Sequence, residues 1–293
     1  MPSAHQKESA AARPAETNGL QRESGYPSAR SLLLTVLGEF VHRRARVWTG
    51  TLVEALGALG VEEKSARQAL FRAAGEGLMS STPHGRRVRW QLTATGEQLL
   101  GEGTERIYGF MRQPHPWDGR WLVLTVSVPE SQRQLRHRLR TRLTWLGLGS
   151  PSPGLWVVPD ADKEAEVRIA IDELGLHDRA FAWAGPAVSA GDPGKLINTA
   201  WDLNDVEKRY LAFIDHFADA KATTEQDAFV NQVRLVQEWR RFPFLDPDLP
   251  SELLDHDWPG PRAAATFHDL HARWDRRAQA EWDRMEDEAG QRR

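Results

Sequence analysis

The chain has 293 residues and a formal net charge of -3, with 38 Lys and Arg set against 41 Asp and Glu. That length can fold as two or three units with separate cores, and near-neutrality excludes a uniformly basic scaffold, so any polyanion-binding surface must be local. The absence of cysteine removes disulfide frameworks, thiolate metal sites and cysteine nucleophiles, and suits a reducing, cytoplasmic setting.

No apolar run approaches the roughly 20 residues that span a bilayer, so no membrane association is expected. Residues 1–28 are rich in Ala, Ser, Glu and Pro without an apolar signal core, and are expected to form a disordered tail. The first helix is expected over SARSLLLTVLGEFVH, with Leu33, Leu34, Leu37, Phe40 and Val41 as its buried stripe. A turn through Arg43 to Arg46 leads to a second helix, VWTGTLVEALGALG, which Thr49 or Thr51 would cap and Gly60 would close.

A third helix is expected from Lys64 to the GEG at residues 75–77. Ala66, Ala69, Leu70, Ala73 and Ala74 fall on one side, and Lys64, Arg67, Gln68 and Arg72 on the other. Small residues let a helix sit close to its neighbour, while the long donors opposite suit a duplex groove. A solvated helix face would look the same. Phe71 is out of place on the polar side, where it would either pack on the first helix or touch a thymine methyl group.

Helix, short Gly-containing turn and helix outline a helix-turn-helix. Next, LMSSTPHGRRVRWQLT is expected to form two strands around the turn Thr82-Pro83-His84-Gly85. Val88, Trp90 and Leu92 alternate with Arg87, Arg89 and Gln91, the period of a half-buried strand. With a helix from near Thr95 to Met111, this describes a winged helix over residues 29–112. Lys64, Ser65, Arg67, Gln68 and Arg72 are the candidate base-reading and backbone contacts, because Arg pairs bidentately with guanine and Gln with adenine. Arg86, Arg87 and Arg89 are candidate phosphate or minor-groove contacts from the wing.

The Pro-rich RQPHPWDG closes that unit, and residues 113–190 alternate RWLVLTVSVP, SQRQLRHRLRTRLTWLG, GLWVVP, KEAEVRIAIDELGL and AFAWAG. The pattern suggests a βαββαβ, ferredoxin-like α+β unit with one strand poorly marked. GLGSPSPG lacks the Lys-Ser/Thr of a P-loop and is read as a turn. Arg133, Arg136, Arg138, Arg140 and Arg142 line one helix with no acid among them. They could extend a nucleic-acid footprint, line a dimer seam, or pair with acids elsewhere.

Residues 191–293 read as helical, with Leu203, Val206, Tyr210, Leu211, Ile214 and Phe217 on one stripe and Phe229, Val233, Leu235 and Val236 on a second helix. The proline-rich EWRRFPFLDPDLPSELLDHDWPG bends the chain before a final helix from Pro261. The fold class expected is therefore α+β and multidomain. Asp255, His256, Asp257, His268 and His271 could be drawn as a metal cluster, but no second motif supports one and no metal site is expected. No catalytic triad or carboxylate pair stands out.

These blocks resemble the PaaX family of bacterial repressors of phenylacetate catabolism. The resemblance is carried by SLLLTVLGEF, VWTGTLVEALGALGV, SARQALFRAAGEGLM, GRRVRWQLT, WDGRWLVLTVSVPE, GLGSPSPGLWVVPD and EWRRFPFLDPDLPSELLDHDWPG. It implies a homodimeric repressor with an N-terminal winged helix, a middle Cas2-like domain and a helical C-terminal domain. Such a protein binds a double-stranded DNA operator and is released by an aromatic acyl-CoA; it uses no catalytic cofactor. Nuclease members of the Cas2 fold carry an aspartate at the end of the first strand, where this chain has Val126 and Ser127, so cleavage is not expected. An acyl-CoA needs an apolar slot and cations for its phosphates. Trp239, Arg240, Arg241, Phe242 and Phe244 are the candidates, since ten of the 12 tryptophans lie beyond residue 113. Alternatives are a Cas2-like nuclease, a CoA-thioester enzyme, or a protein-interaction scaffold built on the C-terminal helices.

Overall fold

A computed structural model of the chain describes residues 27–42, 44, 46–112, 116–186 and 192–291. Nearly all of the expected tail lies outside them, as do Arg43 and Ala45 of the first expected turn and the expected junction at residues 190 and 191.

Helix α1 (Ala29–Val36) starts where the Ser28 hydroxyl accepts a hydrogen bond from the Ser31 amide at 3.2 Å, and it runs on through a wide π turn over Leu37–Val41. Val47 and Trp48, expected in the second helix, instead form a short strand, β1 (Val47–Trp48). Helix α2 (Thr49–Ala58) follows, with Trp48 as its N-cap residue and no capping side chain. The hydroxyls expected to cap it are otherwise engaged: Thr49 donates to the Val88 carbonyl at 3.1 Å, and Thr51 to Glu286 at 2.6 Å.

Helix α3 (Glu63–Gly75) is followed by strands β2 (Met79–His84) and β3 (Arg87–Leu92), then helix α4 (Ala94–Gly109). The three strands form an antiparallel sheet in the order β1-β3-β2. Thr82, Pro83 and His84 belong to β2 and not to the turn: His84 pairs with Arg87, leaving Gly85 and Arg86 as the two-residue connection. Gly85 has a φ of 64°, which glycine adopts without steric cost. At the start of α4 a Cβ on Gly96 would lie 2.1 Å from the Leu78 carbonyl oxygen, so only glycine lets this helix close on the hairpin.

The middle unit runs β4 (Arg120–Val126), α5 (Arg133–Trp145), β5 (Gly149–Ser152), β6 (Leu155–Val158), α6 (Glu164–Glu173) and β7 (Ala180–Pro186). All neighbouring strands are antiparallel, in the order β5-β6-β4-β7, which is the ferredoxin-type arrangement. The weakly marked strand is β5: part of the stretch read as a mere turn pairs with β6 through an irregular register. Leu122, Leu124, Val126 and Trp156 meet Leu139, Leu143, Val167 and Ile171 of the two helices. Helix α7 (Pro193–Ala200) covers part of the other face, where Trp121, Val157 and Ile197 form a smaller core.

Helix α8 (Leu203–Phe217) buries Leu203, Val206, Tyr210, Phe213 and Phe217. The expected stripe holds at Leu203, Val206, Tyr210 and Phe217 but departs between the last two: Leu211 is exposed and Ile214 only partly buried, because Phe213 takes the inward position. Helix α9 (Glu225–Trp239) opens with a reciprocal Thr224–Asp227 capping box. A short helix α10 (Phe242–Leu245) precedes α11 (Gly260–Gln291), which at about 1.5 Å per residue is nearly 50 Å long.

One continuous core joins the first and last thirds of the chain: Leu33, Leu37 and Phe40 pack with Phe229, Trp239, Phe267 and Trp282. Phe40 stacks on Trp282 at 5.2 Å and tilts against Phe229 at 5.0 Å. A buried polar seam follows the same junction. Glu39 accepts hydrogen bonds from the Tyr108 hydroxyl and, at 3.1 Å, from the Gln232 amide, and lies 2.9 Å from the His271 ring. Burial, with the Glu39 carboxylate beside it, pushes the Tyr108 hydroxyl well above its ordinary pKa, so it stays a donor.

Candidate nucleic-acid interface

Helix α3 divides as its spacing predicts. Ala66, Ala69, Leu70 and Ala73 are buried, while Lys64, Arg67, Gln68, Phe71 and Arg72 are exposed. Ser65 sits at the margin, half-buried. Among the described residues the only ion pair on this face joins Arg67 to Glu63 one turn earlier, at 2.8 Å. An exposed pair of this kind holds an arginine loosely, so the face can reorganise against a partner.

The hairpin arginines fare differently. Arg86, in the turn, is exposed and engages no described residue. Arg87 turns back to the far end of the chain and donates to the Ala289 and Gly290 carbonyls of α11, each at 2.7 Å. The last carbonyls of a helix lack partners within it and attract cations, so this is a cation bound to a helix C-terminus. Arg89 lies 3.9 Å from Glu286, and both guanidinium groups stack over Trp48, at 4.1 and 4.2 Å from the ring centroid. Glu286 also accepts from the Trp48 amide at 3.2 Å and from Thr51. Of the three wing candidates, one is free and two tie the hairpin to α11. Nothing local to the hairpin signals this, because the partner carbonyls lie about two hundred residues away.

The five effector candidates do not converge on one pocket. Trp239 is fully buried and donates to the Ile107 carbonyl at 3.0 Å; Phe242 is buried beside it and stacks on Tyr210 at 4.2 Å. Arg240 turns toward α1 and donates to Thr35 at 3.1 Å; burial, then the nearby Arg30, lowers its pKa. Phe244 meets Trp145 of the middle unit at 4.9 Å, with Arg106 over both rings. Arg241 and part of Phe242 open onto a groove of about 340 Å³, lined also by Arg209, Phe213, His216, Phe217 and Glu238, whose carboxylate lies 3.5 Å from Arg241.

A second groove, of about 450 Å³, lies between the middle unit and α8, lined by Arg140, Trp156, Trp201, Leu245 and Pro247 among others. Between the two, Asp246 accepts from the Tyr210 hydroxyl at 2.7 Å, and burial pushes its carboxyl up to about 6. Residues 238–247 thus form a junction of three units, with cations and aromatic walls distributed around it.

The histidines of the possible metal cluster are apart: His256 is exposed beside Asp257, and His271 belongs to the Glu39 seam. Among the described residues no group of three or more His, Asp or Glu side chains could hold a metal ion, and no helix is long and apolar enough to cross a membrane. On α5, Arg142 pairs with Glu173 at 3.2 Å, while Arg133, Arg136, Arg138 and Arg140 are exposed.

An N-terminal unit of helices α1 to α4 and a three-stranded sheet, a ferredoxin-type centre and a helical C-terminal third define a three-part α+β architecture. Family profiles divide the chain at similar places. Residues 28–96 match the PaaX-like protein profile, 114–197 the PaaX protein central Cas2-like domain, and 201–284 the PaaX-like protein C-terminal domain. The chain belongs to the PaaX family. It is 30% identical over 259 residues to the transcriptional repressor PaaX of Escherichia coli strain K12, covering 84% of this chain and 80% of that protein. The solved structure of the uncharacterized protein Rv0674 from Mycobacterium tuberculosis is similar with a TM-score of 0.61 at 25% identity, covering 86% of this chain and 98% of that one.

Proposed function

We propose that this protein is a cytoplasmic, non-enzymatic transcriptional repressor that binds double-stranded operator DNA as a homodimer and is released by an aryl-acyl-CoA. In this reading residues 29–112 work as a winged helix-turn-helix, 113–190 as the Cas2-like centre and 191–293 as the effector-responsive part. The observation that carries it is the α3 face, where Lys64, Arg67, Gln68 and Arg72 are exposed together opposite a buried small-residue face. That is the geometry by which a recognition helix enters a major groove. Relationship to a protein named as a transcriptional repressor supports the same reading. Val126 and Ser127, standing where a nuclease of the Cas2 fold needs an acid, argue against cleavage.

For the effector, the groove at Arg241 supplies cations beside phenylalanine walls, the chemistry a CoA ester requires. Its position at the junction gives a ligand a means of preferring one arrangement of the units over another.

Incubation of the protein with its own promoter DNA and a panel of CoA esters tests the proposal. A mobility shift reversed by an aryl-acyl-CoA, with no cleavage of DNA or thioester, is the expected result; turnover of either, or no shift on any promoter fragment, overturns it. For the effector site, Arg241→Met should block release while preserving operator binding. Arg240→Met should instead lower thermal stability. Equal acyl-CoA affinity in wild type and Arg241→Met would place the site elsewhere.

A further inference from the structure

The α3 face carries one side chain that its cationic character does not explain. Phe71 is 68% exposed, the most exposed large apolar side chain among the described residues. At about 100° per residue, Phe71 projects near the middle of the exposed arc, between Arg67 on one side and Lys64 and Gln68 on the other. Any groove that admits Arg67 and Gln68 must therefore also take in the Phe71 ring.

The ring is also held in place. Its edge meets the Trp90 ring at 6.0 Å and 78°, and Trp90 is itself buried and donates its indole N–H to Thr49 at 2.9 Å. Phe71 is thus braced at its base by the β-sheet and bare at its tip, a posture that loses little rotamer freedom on binding. Most of the ring stays in solvent and is not packed away on the first helix, and its ring contact is with β3.

In the major groove the apolar group a phenylalanine can meet is the 5-methyl of thymine, which projects from the base edge. We infer that Phe71 is a specificity-determining residue that reads a thymine methyl group within the operator half-site, beside the bases read by Arg67 and Gln68. This rests on the proposed DNA-binding role of α3 and adds a sequence requirement to it: a thymine flanked by the positions the polar side chains select.

The test uses the full-length protein and a duplex enriched by it from a random-sequence pool. Each thymine is replaced in turn by deoxyuracil, which lacks only the methyl group. At one thymine per half-site, wild-type affinity should fall about fourfold, the worth of one buried methyl group. Phe71→Ala should bind the thymine and uracil duplexes equally, and Phe71→Leu should retain part of the difference.

Uniform tolerance of uracil by the wild type, or the same thymine dependence in Phe71→Ala, overturns the inference while leaving DNA binding by α3 intact. Failure to enrich any sequence removes the DNA-binding proposal and this one with it. If Phe71→Ala instead halves the sedimenting mass without altering uracil discrimination, the ring belongs to a contact between copies and the inference is wrong.

Discussion

Two basic surfaces lie side by side in the N-terminal unit, the outer face of α3 and the β2–β3 hairpin. On α3 the long donors are exposed, and among the described residues the one arginine that pairs, Arg67, does so with Glu63 on its own helix. On the hairpin, Arg87 and Arg89 are committed to Trp48 and to the last turns of α11, and Arg86 is exposed and engages none of the described residues. Positive charge at the right edge of a fold is therefore not a single property. The same residue type serves as an available donor on α3 and as a fastener on β3, and what decides is whether a distant helix end lies within reach.

The strongest way to break this comparison is to remove what both surfaces rest on. Trp282 is fully buried and stacks on Phe40, joining α11 to the N-terminal helices. Trp282→Ala should destabilise the protein by about 3–5 kcal/mol, the usual cost of emptying a large aromatic site. Urea unfolding followed by tryptophan fluorescence and by amide exchange at α3 should give one shared transition. An N-terminal transition left unmoved by the substitution would mean that the two regions fold independently.

A smaller effect separates the surfaces by chemistry. Arg67→Ala should reduce discrimination between operator and scrambled DNA by about 1–3 kcal/mol, the worth of one bidentate base contact. The melting temperature should hardly move, because the Glu63 pair it loses is exposed. Unchanged discrimination would remove Arg67 from base reading. Glu286→Ala should behave in the opposite way. It strips Thr51 and the Trp48 amide of their acceptor, and leaving buried donors unpaired costs about 1–3 kcal/mol of stability. A melting curve identical to wild type would show that the hairpin is seated without α11.

These contrasts also mark what could be read from sequence. The α3 face was legible because Ala66, Ala69, Leu70 and Ala73 repeat at helical spacing within 13 residues, and local period alone sets which side is buried. The βαββαβ centre was legible in the same way, from alternating apolar runs. By contrast, β1 has only two residues and exists through its pairing with Trp90 and Arg89, so no window around Val47 could reveal it. Leu211 and Phe213 offered two apolar phases for one helix, and only packing against the core chooses Phe213. The effector candidates were grouped by adjacency, yet neighbours on a helix diverge by about 100°. Here the two arginines occupy the turn between α9 and α10, where Arg240 goes to Thr35 and Arg241 faces the groove.

The finest test compares two neighbouring arginines of the hairpin. Arg86 is exposed in the turn and engages none of the described residues, so if it meets a phosphate, Arg86→Gln should flatten the plot of log affinity against log salt by about 0.9, the release of roughly one counterion. Arg87 already satisfies two carbonyls at the end of α11, and contact with DNA would require it to leave them. Arg87→Gln should therefore keep the wild-type slope and instead speed amide exchange over the last turns of α11, whose terminal carbonyls lose a cation. If Arg87→Gln flattens the slope as much as Arg86→Gln, the guanidinium transfers from α11 to phosphate when DNA binds. The helix end would then be a competitor for the wing and not its anchor, and DNA affinity should rise when α11 is shortened beyond Glu288. The two slopes, measured on one duplex over one salt series, decide between a fastener and a switch.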